Sequence, residues 1–209
     1  MQSLRHPNVC LFYGASTRSA EQLALIMEYC PNNNLWSLLQ NRNIELNWDQ
    51  KIELAMGIAK GVHYLHSFSP PVLHRDLKSL NILLDLYLVP KLADFGWTRK
   101  LAEKMTGNVG TFQWMAPEVI INQTYTEKAD VYSYGIILWE IASREPPYKK
   151  MSAAQVCVEV RDKDLRPEIP PNCPQPFINL MKRCWDRNSA NRPSFKEIIH
   201  ELRTFRSRF

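Results

Sequence analysis

Residues 74–81 read HRDLKSLN, and the tripeptide DFG follows at residues 94–96. These two segments hold the densest polar cluster of the chain: two carboxylates, an amide and an ammonium group, which together would make a poor hydrophobic core. In an extended loop alternate side chains point the same way, so Asp76 and Lys78 can face one ligand together. The pattern is typical of a site that binds phosphate and magnesium.

The chemistry of these side chains gives each one an expected role. Mg²⁺ prefers a few hard oxygen ligands and keeps its other positions for water or phosphate, and Asp94 and the carbonyl group of Asn81 could supply such oxygens. Lys78 can neutralise a phosphate that is being transferred. Asp76 is then left to orient an incoming hydroxyl group and to accept its proton.

The segment before this cluster predicts two strands and one long helix. Short apolar runs at 9–15 and 22–29 are typical of strands. A capping box of Asn47 and Gln50, followed by apolar residues at three- and four-residue spacing, predicts a helix that stops at the prolines of residues 70–71.

The segment after the helix predicts a change from strands to a loop and then to helices. Residues 72–96 alternate short apolar and turn-prone pieces, which favours paired strands around a loop. Residues 97–115 are polar and without period, which predicts a long surface loop of the kind that usually carries function. A segment capped by Thr126 is apolar on nearly every face from residue 131 to residue 142, as a buried central helix would be. Capping boxes predict further helices after Ser152 and Ser194.

Composition and charge bound the function classes. The chain has 209 residues, 45% of them hydrophobic and 22% charged, which indicates one compact globular domain. A net charge of +5 is too diffuse to indicate a nucleic-acid partner, and no apolar run reaches the roughly 20 residues of a membrane span. The five cysteines form no CxxC pair, so we expect neither a disulfide framework nor a zinc ribbon, and a cytoplasmic location fits best.

The chain resembles the protein kinases. HRDLKSLN, then DFG, then Ala116-Pro117-Glu118 is the catalytic signature of that family in its order and spacing. The variants GTFQWMAPEV at residues 110–119 and HRDLKSLNILLD at residues 74–85 look most like the tyrosine-kinase-like group, which includes the Raf-like and mixed-lineage serine/threonine kinases. The resemblance implies an α+β, protein-kinase-like fold: a mainly helical large lobe with a remnant of the small β lobe.

The resemblance also implies the residues that perform phosphoryl transfer from MgATP. Asp76 matches the catalytic base, Lys78 the contact to the γ-phosphate, and Asn81 and Asp94 the two magnesium ligands. Met27 matches the gatekeeper beside the nucleotide. The remaining matches are the hinge backbone from Glu28 to Cys30, which would bind adenine, and Leu83, which would lie beneath the adenine ring.

Several further residues are expected to have structural roles rather than take part in chemistry. Asp130 matches an aspartate that supports the catalytic loop. Glu118 and Arg192 match an ion pair of the family. His74 is expected to be a structural residue of the core rather than a metal ligand, and the tryptophans at 114, 139 and 185 are expected to be packing residues.

The family's glycine-rich loop and its ATP-binding lysine have no counterpart in this sequence, whose segment Leu4–Val9 normally follows them. The sequence therefore predicts a kinase domain over residues 1–209 that is incomplete at its N-terminus. Residues 1–27 would be the remnant of the small lobe, and residues 28–209 would be the hinge and large lobe. On this prediction the chain alone is inactive or very weak, and the alternative function is that of a non-catalytic, pseudokinase-like interaction module.

Specificity and regulation are predicted from the same resemblance. Lys78 and the pair Gly110-Thr111 favour serine or threonine acceptors in a protein substrate. Thr111 is also expected to be needed for docking of that substrate. Arg75 is of the type that pairs with a phosphate, and Thr106 lies where related kinases are phosphorylated. An upstream kinase acting on Thr106 is therefore an expected partner, along with ATP and the protein substrate.

Overall fold

The computed structural model describes residues 4–16, 24–94, 112–121 and 124–206. Helices form the larger part of the regular structure, and two small antiparallel sheets accompany them. The α+β architecture expected from the sequence, with a little sheet first and many helices after it, is confirmed. Most of the segment 97–115, predicted to be a surface loop, lies outside the described residues.

The described residues contain seven α-helices, and none of these helices has both the length and the apolar character needed to cross a bilayer. Three short 3₁₀ turns lie between them. The helices are α1 Leu35–Gln40, α2 Trp48–His66, α3 Pro117–Ile120, α4 Glu127–Ser143, α5 Ala153–Lys163, α6 Gln175–Cys184 and α7 Phe195–Arg206. The 3₁₀ turns are Ser79–Asn81, Phe112–Trp114 and Ser189–Asn191.

Two antiparallel hairpins make up the sheets of the described chain. β1 Phe12–Ser16 pairs with β2 Ala24–Met27, and β3 Ile82–Leu84 pairs with β4 Pro90–Leu92. The second hairpin lies between the two segments that the sequence singles out, because β3 follows residues 74–81 and β4 precedes Asp94. It thereby brings the end of one segment beside the start of the other.

Both predicted N-terminal strands are longer than the observed ones. The first was predicted at 9–15 and is observed at Phe12–Ser16, and the second was predicted at 22–29 and is observed at Ala24–Met27. The first residues of the run at 9–15 pair elsewhere: Val9 bridges Leu92 of β4, and the backbone N–H of Cys10 donates to the carbonyl of Leu92 at 2.9 Å. Val9 and Cys10 are buried in this contact. The apolar run therefore contributes to two sheets: its first residues pair with β4, and its later residues form β1 and pair with β2. The apolar pattern alone could not show this division.

Helix α2 begins and ends as the sequence predicts. The side chain of Asn47 accepts a hydrogen bond from the backbone N–H of Gln50, and the Gln50 side chain accepts one from the backbone N–H of Asn47. The helix ends at His66, before the prolines. The capping boxes at Ser152 and Ser194 are also present and start α5 and α7.

Helix α4 is the buried centre of the molecule, as predicted. Thr126 caps its first turn, and residues 129–141 are buried without a break. The three tryptophans expected to pack in the core are all nearly inaccessible, which confirms that interpretation. They are Trp114, Trp139 and Trp185.

Two elements differ from the sequence prediction. β2 already ends at Met27, and the Pro and Asn residues at 31–34 lead into α1, because the side chain of Asn34 accepts a hydrogen bond from the backbone N–H of Ser37. Residues 112–114, predicted to belong to a surface loop, form a 3₁₀ turn with Trp114 buried. The burial of one large side chain overrides the polar, aperiodic pattern there.

A glycine in α2 allows the N-terminal loop to lie directly on the helix. A Cβ atom at Gly61 would lie 2.5 Å from the carbonyl oxygen of Asn8 and 2.9 Å from Cδ1 of Leu92. Asn8 in turn donates from its side chain to the carbonyl of Pro90 at 3.0 Å. The close approach therefore seats both the N-terminal loop and β4 against α2.

We predict that Gly61→Ala lowers the free energy of unfolding. Overpacking at such a contact costs about 1–3 kcal/mol, whereas the better helix propensity of alanine offsets about 1 kcal/mol. Urea denaturation of the variant should therefore show a lower midpoint with an unchanged slope. Gly14→Ala is the matched control, because apart from its chain neighbours no atom of the described residues lies within 4 Å of the added Cβ atom. Equal midpoints for both variants would contradict the close approach.

Candidate active site

The polar segment 74–81 is held in place by a buried carboxylate of α4. Oδ2 of Asp130 accepts the backbone N–H of His74 at 2.9 Å, and Oδ1 accepts the backbone N–H of Arg75 at 3.1 Å. Asp130 is fully buried. The expectation that this aspartate braces the polar loop is confirmed.

Two more groups complete the shell around Asp130. Nε2 of His66, near the end of α2, lies 2.8 Å from Oδ2, and the hydroxyl group of Tyr125 donates to Oδ1 at 2.6 Å. Burial acts to raise the pKa of Asp130, but the hydrogen bond and charge of His66 and the hydrogen bond from Tyr125 outweigh it, so the pKa lies below its ordinary value. The carboxylate therefore remains charged in the folded protein.

His74 lies beside this carboxylate and is fully buried. Burial lowers the pKa of His74, while the charge of Asp130 opposes that effect. The neutral imidazole is therefore a core side chain, in agreement with the structural role expected from the sequence.

The backbone turn held by Asp130 presents Asp76. Arg75 adopts a left-handed conformation with φ of 69°, which is uncommon for a residue other than glycine. Its own side chain is exposed, whereas Asp76 and Lys78 beyond it are half-buried. The two backbone hydrogen bonds that Asp130 accepts offset the cost of this conformation and so fix the direction of the chain at Asp76.

Asp76, Lys78 and Asn81 lie together, as the sequence predicts. Nζ of Lys78 is 2.8 Å from Oδ2 of Asp76, and Nδ2 of Asn81 donates to the same oxygen at 2.8 Å. Nδ2 of Asn81 also donates to the backbone carbonyl of Asp76 at 2.8 Å. One carboxylate oxygen is thereby fixed by an ammonium and an amide.

The second carboxylate oxygen of Asp76 is different. Oδ1 is buried and has no hydrogen-bond partner among the described residues. A buried acceptor without a hydrogen bond lowers the stability of the folded state, because its lost hydration is not replaced. The carboxylate therefore presents one fixed oxygen and one oriented acceptor, the geometry needed to receive a hydrogen bond from a ligand.

Asp94 lies just beyond β4, next to a residue whose backbone is hydrogen-bonded to Asn81. The N–H of Ala93 donates to the carbonyl of Asn81 at 2.9 Å, which ties the two segments together one residue before Asp94. Asp94 is exposed and left-handed, with φ of 57°. Its carboxylate and Oδ1 of Asn81 accept no hydrogen bond from the described residues, so both hard oxygens are available to a cation.

The donor set fits Mg²⁺ better than a transition metal. The described residues contain no cluster of three or more His, Cys, Asp or Glu side chains that could hold a metal ion. Mg²⁺ is commonly held by one or two carboxylates together with substrate phosphates, and the site offers oxygen ligands of this type from Asp94 and Asn81.

A second carboxylate of α4 holds the other end of the polar segment. Oε1 of Glu140 accepts the hydroxyl group of Ser79 at 2.7 Å, and Oε2 accepts the indole N–H of Trp114 at 2.6 Å. Glu140 is buried, and burial raises its pKa to about 8, although the two hydrogen bonds act in the opposite direction. Sequence reasoning missed this residue. A glutamate in an otherwise apolar helix was the signal that could have revealed it.

The residues predicted to bind the nucleotide lie around the end of β2 and on β3. Met27 is the last residue of β2 and is 40% exposed, and Leu83 is half-buried in the middle of β3. The backbone N–H of Glu28 already donates to the carbonyl of Leu11 at 2.8 Å. The backbone N–H and carbonyl of Cys30 make no hydrogen bond with the described residues. These two backbone groups can therefore form hydrogen bonds with a ligand.

The side chain of Glu28 has a structural role that the sequence did not show. Its Oε1 lies 2.7 Å from Nζ of Lys91, and its Oε2 accepts the backbone N–H of Leu11 at 3.2 Å. Lys91 is buried and donates also to the carbonyl of Pro7 at 3.1 Å. This ion pair links the segment after β2 to the hairpin that carries Asn81 and Asp94.

The ion pair expected between Glu118 and Arg192 is confirmed. The guanidinium group contacts both carboxylate oxygens, at 2.6 and 2.9 Å, and its side chain is fully buried. Its neighbours include the carbonyl of Lys128 at 2.9 Å. Thr106 and Thr111, for which regulatory and docking roles were predicted, lie outside the described residues.

The order of these elements and the site they build agree with a comparison against protein families. The family model for protein tyrosine and serine/threonine kinases matches residues 1–202. The chain belongs to the protein kinase family. The kinase-like α+β fold expected from the sequence is therefore shown.

Curated relatives of the chain are serine/threonine kinases by name. A probable serine/threonine-protein kinase of Dictyostelium discoideum, drkC, is 44% identical over 207 residues, and a probable serine/threonine-protein kinase of Arabidopsis thaliana, SIS8, is 41% identical over 208 residues. The serine/threonine-protein kinase STY46 of Arabidopsis thaliana is 41% identical over 204 residues. Each match covers 97% of this chain but only 28%, 20% and 35% of those proteins, respectively.

We predict that Glu140→Gln makes the kinase domain less sensitive to alkaline pH. The pKa of Glu140 is raised in the folded state, so the contribution of this residue is full below its unfolded pKa of about 4.3 and is lost as pH rises through about 8. Glutamine is neutral, can accept from Trp114 and can donate to Ser79. Melting temperatures measured from pH 6 to pH 9 should fall less steeply for the variant than for the parent chain.

The Glu159→Gln variant controls for the general effect of charge on the melting curve. Glu159 lies on α5 with 26% of its side chain exposed, and among the described residues it pairs only with Lys163. Parallel pH profiles for the parent chain and Glu140→Gln would show that Glu140 does not titrate in this range.

Proposed function

We propose that this chain is a serine/threonine protein kinase domain of the tyrosine-kinase-like group, which transfers the γ-phosphoryl group of MgATP to a protein hydroxyl. The observation that carries the proposal is the asymmetry of Asp76: Oδ2 is held by Lys78 and Asn81, while the buried Oδ1 is left to accept. Family membership and the names of the relatives support it.

In the proposed reaction the hydroxyl group of the protein substrate donates its hydrogen bond to Oδ1 of Asp76. The hydroxyl oxygen attacks the γ-phosphorus, the bond between that phosphorus and the β,γ-bridging oxygen breaks, and ADP leaves with the bridging oxygen. The hydroxyl proton passes to Oδ1. Positioning of the hydroxyl group is the main contribution of Asp76, because phosphoryl transfer depends largely on orientation and charge stabilisation.

Lys78 has two proposed roles. Its ammonium group fixes Oδ2 of Asp76 and at the same time places a positive charge beside the acceptor oxygen. The negative charge that spreads over the transferred phosphoryl group is stabilised by such a cation. Replacement of Lys78 would therefore affect both the orientation of Asp76 and the charge around the phosphate.

Asn81 and Asp94 are the proposed magnesium ligands, through Oδ1 of Asn81 and the carboxylate of Asp94. A bound Mg²⁺ supplies charge neutralisation at the phosphates. The amide nitrogen of Asn81 remains on Asp76, so the same side chain would connect the base and the metal site.

We further propose that the nucleotide lies against Met27 and Leu83, with the adenine edge facing the free backbone groups of Cys30. The exposed face of Met27 and the partly exposed Leu83 support this position. The domain division also remains a proposal: residues 1–27 as part of the small lobe and residues 28–209 as hinge and large lobe. Action in the cytoplasm belongs to the same proposal.

Regulation through the segment after Asp94 is proposed from the chemistry of Arg75. Its exposed guanidinium group lies one residue from the base, where a phosphate on Thr106 would form a charge-assisted pair. An upstream kinase would add that phosphate. Thr111 is the proposed docking residue for the protein substrate.

We predict that Asp76→Asn abolishes phosphoryl transfer while MgATP binding is retained, in a fusion protein in which a glycine-rich loop and an ATP-binding lysine are supplied ahead of this chain. The asparagine can keep the contact to Lys78 but is a far weaker proton acceptor, so the loss should reach about a hundredfold or more in kcat with little change in nucleotide affinity. Radiolabel transfer to a generic basic protein and calorimetry with MgATP measure the two quantities.

Asp162→Asn in the same fusion is the matched control, because Asp162 is exposed on α5 and pairs only with Arg161 among the described residues. Equal transfer by Asp76→Asn and the unaltered fusion would contradict the assignment of the base. MgATP binding without measurable transfer by the unaltered fusion would favour the alternative function, a non-catalytic interaction module.

A further inference from the structure

A concave basic surface lies on the molecule away from the candidate active site. A cavity of about 450 Å³ opens between α2 and α7, beside the loop that precedes β1. No residue that lines it belongs to the site described above. Six of the lining side chains are basic or imidazole groups, which we call the basic pocket: His6, Lys60, His63, Lys196, His200 and Arg203.

The basic pocket is built from single faces of two packed helices. On α2, Lys60 and His63 are three residues apart. On α7, Lys196, His200 and Arg203 follow one another at spacings of four and three residues. Residues at these spacings lie on the same side of a helix, so the cationic groups of both helices converge on the groove between them.

No acidic side chain among the described residues neutralises the lysine and arginine charges of the basic pocket. No Asp or Glu lines the cavity, and Lys60, Lys196 and Arg203 form no ion pair with the described residues. The next cation along α7 differs in this respect. Arg206 pairs with Glu53 of α2 at 2.5 Å. Among the described residues, a carboxylate therefore pairs with a cation at the edge of the groove, and none lines the groove itself.

The nearby carboxylates of α7 are occupied elsewhere. Glu197 accepts the backbone N–H and the hydroxyl group of Ser194, both at 2.7 Å, in the N-terminal cap of the helix. Glu201 pairs with Arg183 of α6 at 2.5 Å. Converging like charges without a counter-ion repel one another, and an anionic ligand would relieve that repulsion.

One wall of the basic pocket is rigid. His6 stacks on Tyr64 with ring centroids 4.9 Å apart, and Nδ1 of His6 accepts the backbone N–H of Asn8 at 3.0 Å. The hydroxyl group of Tyr64 accepts the backbone N–H of Arg5 at 3.0 Å. Since Nδ1 of His6 accepts, Nε2 carries the proton in the neutral ring and is a donor. Burial, and then the positive charges of Lys60, His63 and Lys91, lowers the pKa of His6.

We propose that the basic pocket binds a small ligand that carries several phosphate groups, such as an inositol polyphosphate. The volume falls in the range of small-molecule sites rather than extended surfaces. Three cations from two helices, none paired with a described residue, suit a compact polyanion, and the imidazole of His6 adds a donor. A nucleotide base is disfavoured, because His6 covers one face of Tyr64 and Phe68 meets that ring edge-on.

The test measures calorimetric binding of inositol hexakisphosphate to the 209-residue chain, and two triple variants show whether the basic pocket is the site of binding. Lys60→Gln/Lys196→Gln/Arg203→Gln should lower the affinity at least about tenfold, since three charge-assisted contacts are lost. All three side chains are exposed, so the fold should be retained. Lys150→Gln/Lys163→Gln/Lys182→Gln removes the same charge from other surfaces and should bind like the parent chain.

Equal loss of affinity in both triple variants, or no binding by the parent chain, would overturn the proposal. The same phosphate chemistry occurs free in solution and on lipid headgroups. Sedimentation with phosphatidylcholine vesicles, with and without phosphatidylinositol 4,5-bisphosphate, distinguishes these sources. Dependence of vesicle binding on the basic pocket indicates a headgroup, and calorimetric binding without vesicle binding indicates a free ligand. Tighter binding of a phosphopeptide than of inositol hexakisphosphate would contradict a small polyanion as the ligand.

Discussion

The structure depends on one buried carboxylate. Asp130 of α4 accepts the backbone N–H groups of His74 and Arg75 and is surrounded by His66 and Tyr125. A charge of this kind is stable in the interior only when its hydrogen bonds are complete, and breaking such a network costs roughly 3–5 kcal/mol. The polar segment that follows owes its direction to this contact, because nothing in its own sequence favours the left-handed backbone at Arg75.

The central helix holds the polar segment at two points. Asp130 and Glu140 are ten residues apart on α4, about 15 Å along a helix axis, and contact its beginning and its end. Their pKa values shift in opposite directions for a physical reason. Asp130 has a histidine partner and several donors, so its charged form is favoured, whereas Glu140 has two neutral donors and burial dominates. Between these contacts Asp76 is fixed with one oxygen uncovered.

Much of this arrangement could be predicted from the sequence because it rests on local or family patterns. Capping boxes set the starts of α2, α5 and α7, and uninterrupted apolar character identified α4 as the core. The convergence of Asp76, Lys78 and Asn81 follows from their nearness in one loop. Helix α1 was missed because its signal is a single Asn34 cap and three buried leucines over six residues.

The contacts that sequence reasoning missed are long-range. Glu28 pairs with Lys91, and Glu140 with Ser79 and Trp114, and no local period reports such partners. The predicted start of the first strand at residue 9 was wrong for the same reason. Val9 pairs with Leu92 of β4 rather than with β2, and β1 begins only at Phe12. For polar residues such as Glu140, whose partners are brought close by tertiary packing, the sequence signal is a polar side chain in an otherwise apolar segment.

Amide hydrogen exchange by NMR at His74 and Arg75 tests the central claim, that the carboxylate of Asp130 holds the polar segment. The two amides should be protected to within about tenfold of those in the middle of α4, and Asp130→Asn should speed their exchange by about tenfold or more while the amides of α7 change less. Exchange at His74 and Arg75 as fast as at the exposed Leu86 in the unaltered chain would contradict it.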